Sequence, residues 1–141
     1  MRNIIKKILR EESELNELKR LVDSYQPNNV QLALIMSEGF GLKKEVLELI
    51  LNRILEEIKT LVEENPDEYS DEVLDLIEYV NEIKINKITE NFSKSTKYVI
   101  YVDVYYSNST EEDFDSLFGE IEWDFQKLTG ERLMLELTKI D

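Results

Sequence analysis

Lys97-Tyr98-Val99-Ile100-Tyr101-Val102-Asp103-Val104-Tyr105-Tyr106 is the stretch on which the fold turns. Nearly every side chain in it is β-branched or aromatic, the types that suit a pleated, half-buried surface. Alternation sets Tyr98, Ile100, Val102, Val104 and Tyr106 on one face. Val99, Tyr101, Asp103 and Tyr105 take the other. Upstream, the apolar residues recur every three to four positions instead, which is the period of a helix. The chain therefore changes from helix to strand part-way along, and an α+β fold is expected.

Reading forward from the strand, Ser109-Thr110-Glu111-Glu112 has the form of a capping box, with Ser109 as N-cap and Glu112 at the third helical position. The helix it opens runs to Leu128, and Gly130 ends it. Phe114, Leu117, Phe118, Ile121, Phe125 and Leu128 form its sheet-facing stripe. Leu133, Leu135 and Leu137 then alternate with polar residues as a last strand. Strand, helix and strand in that order predict a parallel pair joined by a right-handed crossover. Just upstream, Ile83 to Ile88 reads in two ways. It is either a partner strand, turning through Asn91-Phe92-Ser93-Lys94-Ser95, or an extension of the preceding helix. Residues 83–141 are thus ββαβ or βαβ.

Reading backward, residues 1–82 are mainly helical, in about four helices. Ile4, Ile8, Leu15, Leu18, Val22 and Tyr25 mark a helix over 3–25. Gln26-Pro27-Asn28-Asn29 stops it, because proline disfavours helix in the residue before it. Asn28 or Asn29 then caps a short helix from Val30 to Glu38, so apolar all round that full burial is expected. Gly39-Phe40-Gly41 ends that helix; the glycines suit a C-cap better than a phosphate loop, since no strand precedes them. Residues 43–64 carry the widest stripe, Leu47, Ile50, Leu51, Ile54, Ile58, Leu61 and Val62, and Pro66 closes it. A fourth helix is expected from Asp71 to about Asn81, with Val73, Leu76, Ile77 and Val80 inward. The whole chain, 1–141, reads as one α+β domain. Its crossover helix covers one sheet face, and the helical half is expected on the other.

Composition narrows the function. The chain has 141 residues, no cysteine and no histidine. That removes disulfides, thiol nucleophiles and the usual general base near neutral pH. No catalytic, cofactor or metal residues are expected, and the protein reads as a non-enzyme. Asp113 and Asp115 match no calcium loop. They are better explained as acids facing the positive end of a helix. Pro66-Asp67 with Glu82-Ile83-Lys84 spells a metal-dependent nuclease signature, but a turn and a helix separate its halves. No segment approaches the ~18 apolar residues of a membrane span. No signal-peptide run opens the chain, so a cytoplasmic or virion location is expected.

The net charge is −14, and it is concentrated. Residues 63–82 hold nine acids and no base, and residues 103–124 hold eight acids and no base. Such segments repel a phosphate backbone, so direct nucleic-acid binding is not expected. Acidic blocks usually serve as a solvated, solubilising surface. They also suit binding to another protein that itself binds nucleic acid. Trp123 is the chain's one tryptophan, about 180° around its helix from the sheet-facing stripe. Tryptophan is enriched at interface hot spots. Trp123, Glu112, Glu120, Glu122 and Asp124 are accordingly the candidate partner-binding residues. The competing reading has the helical half folding over Trp123, with Ser116 and Gly119 easing the approach. Tyr98, Tyr101, Tyr105 and Tyr106 could stack on bases, but such platforms are basic and this strand carries Asp103.

The first residues carry a resemblance. Arg2-Asn3-Ile4-Ile5-Lys6-Lys7-Ile8-Leu9-Arg10-Glu11-Glu12 resembles the short N-terminal leaders of T-even-like tailed-phage proteins. The resemblance covers about a dozen residues. It implies capsid targeting and cleavage after a Leu-x-Glu signal, for which Leu9-Arg10-Glu11 is the candidate. It further implies that the protein in mature particles begins at Glu12, which intact-mass measurement of purified particles checks. The same residues also read as the first turns of helix 3–25. Three functions therefore stand beside one another. They are an acidic protein-binding module of phage or bacterial cytoplasm, a packaged phage head protein, and an inhibitor that imitates DNA in the anti-restriction or anti-CRISPR manner.

Overall fold

The computed structural model describes the backbone of residues 2–90, 98–106 and 114–137, and side chains within these from residue 13 onward, except Glu72, Tyr79, Tyr105 and Tyr106. The order is α1 (Arg2–Asp23), α2 (Pro27–Phe40), α3 (Lys43–Glu64), a short 3-10 turn (Pro66–Glu68), α4 (Asp71–Tyr79), β1 (Val80–Glu90), β2 (Tyr98–Tyr106), α5 (Phe114–Thr129) and β3 (Leu133–Leu137). This is α+β, with a helical first half and a ββαβ sheet unit. The sheet order is β1-β2-β3. β1 pairs antiparallel with β2, and β2 pairs parallel with β3, as a helical crossover requires.

The ambiguity over 83–88 resolves as strand. Ile83 and Ile85 lie opposite Val104 and Val102, so pairing with a strongly β-prone neighbour decides what local pattern left open. The fourth helix accordingly stops at Tyr79, and Val80 opens β1 rather than closing α4. Register shifts at Val80/Glu82 and Ile85/Lys87 bend this edge strand.

Two helix boundaries also differ from expectation. α1 ends at Asp23, because Tyr25 takes a left-handed φ of 55° and turns the chain. Pro27 starts α2 instead of stopping α1. Gln26 before it is extended, and a proline at the first helical position gives up an N–H with no helical partner. Asn28 and Asn29 are thus inside the helix, not its cap. At the other end Gly41, at φ 71°, forms the expected C-cap, with the Leu42 N–H donating to the Ser37 carbonyl. The expected capping box at Ser109 and Glu112, and the turn over 91–95, lie outside the described residues.

α3 is the central helix, buried at Val46, Leu47, Ile50, Leu51, Ile54, Leu55, Ile58 and Val62. It packs on β1, while α5 packs on β3 and against α3; α1, α2 and α4 surround the pair. All six residues of the expected α5 stripe are buried. Tyr98, Ile100, Val102 and Val104 face them from β2. The helical half does not cover the second sheet face. There Val99, Tyr101 and Asp103 are half-buried, and Lys84, Met134 and Glu136 are exposed. All the helices share one side of the sheet. α2 is not buried all round either: only Val30, Ala33 and Ser37 are enclosed, and Ile35 is 69% exposed.

Helical side chains bond to the backbone at both sheet edges. On β1, the Asn52 Oδ1 accepts the Ile83 N–H at 3.0 Å and its Nδ2 donates to the Ile83 carbonyl at 2.8 Å. The Glu48 carboxylate accepts the Ile85 N–H at 3.1 Å, and Lys59 donates to the Val80 carbonyl at 2.6 Å. Glu48, Asn52 and Lys59 recur at helical spacing on one face of α3, so the helix supplies the groups a fourth strand would. On β3, the Glu122 carboxylate accepts the Leu135 N–H at 2.8 Å.

Candidate protein-binding surface

α5 carries the surface. Its buried stripe fixes its rotation, and the helical period then sends Trp123 straight outward. Trp123 is 57% exposed, the ammonium of Lys127 lies 5.2 Å from its ring centroid, and the helical half does not close over it. A Cβ at Gly119 would meet nothing within 4 Å, so the small residues near Trp123 serve no helix packing. Trp123 therefore stands on a ridge with different chemistry on its two flanks.

On the β3 flank lies an open groove of about 290 Å³, lined by Gly119, Glu122, Trp123, Gln126, Arg132, Leu133 and Met134. Met134 is 46% exposed, so two of the molecule's exposed large apolar side chains border this one groove. Glu122 lines it, half-buried and engaged with Leu135. Burial holds its carboxyl above the ordinary carboxylate range, the Leu135 N–H opposes that rise, and Asp115 adds to it. Of the candidate residues, Glu122 thus has a structural task at the strand edge.

On the other flank Glu68 of the first acidic segment and Glu120 and Asp124 of the second all act on Tyr69. Tyr69, between the 3-10 turn and α4, has its hydroxyl pushed up first by burial, then by Glu120, Asp124, Glu68 and Glu57. Glu68 belongs to the first acidic block and Glu120 and Asp124 to the second, so acids far apart in sequence share one field. Asp124 is raised by burial and by Glu120 and Glu57, with Lys127 opposing from 3.9 Å. Tyr25 is raised by burial, Asp124 and Glu57, against the Arg53 guanidinium 4.8 Å from its ring. Sequence reasoning named Glu120 and Asp124 but missed Glu57, Glu68 and Tyr69. Only the packing of the turn and α4 beside α5 brings them in.

The remaining candidates separate from this surface. Glu112 lies outside the described residues, as do the side chains of Leu9 and Glu11, whose backbone falls within α1. Asp67 is in the 3-10 turn, whereas Glu82 and Lys84 are on β1, with α4 between. Tyr98 is 2% exposed beneath Lys43, and so offers no stacking face. Tyr101 is half-buried, with the Lys87 ammonium 5.8 Å from its ring. Compared with protein-family models, with curated proteins and with solved structures, the chain matches none.

The raised carboxyls have a stability consequence. A group whose folded pKa exceeds its unfolded value binds more protons when folded, so stability falls as pH rises through that window. For Glu122 and Asp124 the window opens near the ordinary values of about 4 and extends upward. The melting temperature is therefore expected to rise as pH drops from 7 into the carboxylate range. The exposed Glu17, lowered by its bond to Arg20, opposes this only weakly. A Glu122→Gln/Asp124→Asn variant should flatten the rise. A melting temperature that falls steadily below pH 7 contradicts the assignment.

Proposed function

We propose that this chain is a non-enzymatic binding module that holds a basic partner protein against α5. The observation that carries the reading is Trp123, outward on the α5 ridge between an open groove bordered by Met134 and a cluster of acids. The aromatic supplies a large, rigid contact area, and the acids around Tyr69 supply steering and register. Having no histidine or cysteine suits a binding rather than a catalytic role.

The gathering of Glu68 with Glu120 and Asp124 around Tyr69 favours one form of this reading, imitation of a phosphate backbone toward a nucleic-acid-binding protein. A phage or bacterial origin, inside the cell or the particle, is part of the proposal and draws on the N-terminal leader. Among the described residues no helix is long and apolar enough to cross a membrane.

The charge test uses Glu120→Gln with Asp124→Asn and leaves Glu122 in place at the strand edge. The pair should weaken binding at low salt, and the difference from wild type should shrink as salt screens the field. If the amides compete with DNA for the partner as well as wild type does, the mimic form fails.

A further inference from the structure

α2 presents a second, chemically different surface. Its enclosed residues are Val30, Ala33 and Ser37. On the opposite side of the helix stand Asn28, Leu32, Ile35 and Gly39, all exposed, with Leu32 at 45% and Ile35 at 69%. Their spacing of four, three and four is that of a coiled-coil seam. The face also stands apart in charge. Of the 14 residues in α2 only Glu38 is ionisable, and Lys43, which pairs more closely with Glu90, also reaches it at 3.4 Å. The chain as a whole carries a net charge of −14.

We infer that α2 is a self-association surface, and that its occupant is the α2 of a second copy in an antiparallel, two-fold pair. The charge pattern selects this occupant. A basic partner is drawn to the acids around Tyr69, not to a helix with a single ionisable residue. Two copies of a strongly acidic chain repel least where charge is sparse. The seam is also self-complementary. In an antiparallel pair, Leu32 of one copy meets Ile35 of the other, and Asn28 meets Gly39. That gives two Leu–Ile layers flanked by two Asn–Gly layers, with the symmetry an isologous contact demands. At Gly39 a Cβ would meet nothing within 4 Å in the single chain, so the notch is open to a neighbour's side chain. Two four-turn helices cover less than the roughly 1,600 Å² of a standard interface, so a dimer of about micromolar strength is expected.

Sedimentation equilibrium of the full chain tests this. From low to high micromolar loading the mass should climb from 16.7 kDa toward twice that value and stop there. Added salt should strengthen the dimer by screening the repulsion of the acidic bodies. That is opposite to its effect on a partner held at the acidic face. Ile35→Glu should remain a monomer throughout, and its circular dichroism should be unchanged because the site is exposed. Met134→Glu adds the same charge at the sheet side and should dimerise as wild type does. A wild-type chain that stays monomeric overturns the inference. So does an Ile35→Glu chain that dimerises normally, a Met134→Glu chain that does not, or a mass that grows past the dimer.

Discussion

An Asn52→Leu variant is expected to lose about 2–4 kcal/mol of folding stability and to associate through β1. Asn52 satisfies both backbone groups of Ile83 with one side chain, at 3.0 and 2.8 Å. Leucine has nearly the same size and can do neither. An N–H or C=O left half-buried without a partner costs about 1–3 kcal/mol, and here there are two. Against a typical total of about 5–15 kcal/mol that is a large fraction. The open edge then offers its hydrogen bonds to other chains. Asn52→Asp keeps an acceptor for the Ile83 N–H and loses only the donor, so it should fall between. Urea unfolding midpoints check the first part. Sedimentation of Asn52→Leu in an Ile35→Glu background checks the second, since it removes association through α2. A midpoint equal to wild type would show that α3 does not seal this edge.

Trp123→Ala is expected to abolish most partner binding and leave folding almost untouched. Truncating a hot-spot tryptophan costs about 2 kcal/mol or more, roughly 30-fold in affinity. The folded state loses only a 57% exposed ring and its contact with Lys127. Exposed cation–π pairs contribute about 0.5–1 kcal/mol, and the covered part of the ring adds a further contribution. Because Trp123 is the only tryptophan, its fluorescence reports on the site directly. In the free protein the ring should emit like tryptophan in water and be quenched by acrylamide. With partner bound, the emission should shift to the blue and the quenching fall. Such a shift in the free protein would mean the ring is already covered.

The parts of this structure that could be read in advance are those set by short-range pattern. The α5 stripe from Phe114 to Leu128, the alternation over Tyr98–Val104 and the α3 stripe each follow from one element's own period. The outward direction of Trp123 follows from the α5 stripe for the same reason. What failed to show depends on neighbours. The apolar residues of α2 suggested complete burial, yet how many elements reach a helix is a property of packing. Only the Val30, Ala33 and Ser37 side found partners. Ile83 to Ile88 was ambiguous until β2 was known to lie beside it. Glu122 looked like one more surface acid, because nothing local signals that Leu135 N–H points at it from thirteen residues away. The meeting of Glu57, Glu68, Glu120 and Asp124 at Tyr69 joins three elements that no spacing connects.

The central claim is that one face of α5 holds a basic partner protein. Affinity capture from cells that express the gene tests it most directly, with wild type, Trp123→Ala and Glu120→Gln/Asp124→Asn as parallel baits. The account predicts a basic protein retained by wild type, lost from Trp123→Ala, weakened with the amide pair and released by moderate salt. The same proteins on all three baits, in the same amounts, would contradict it.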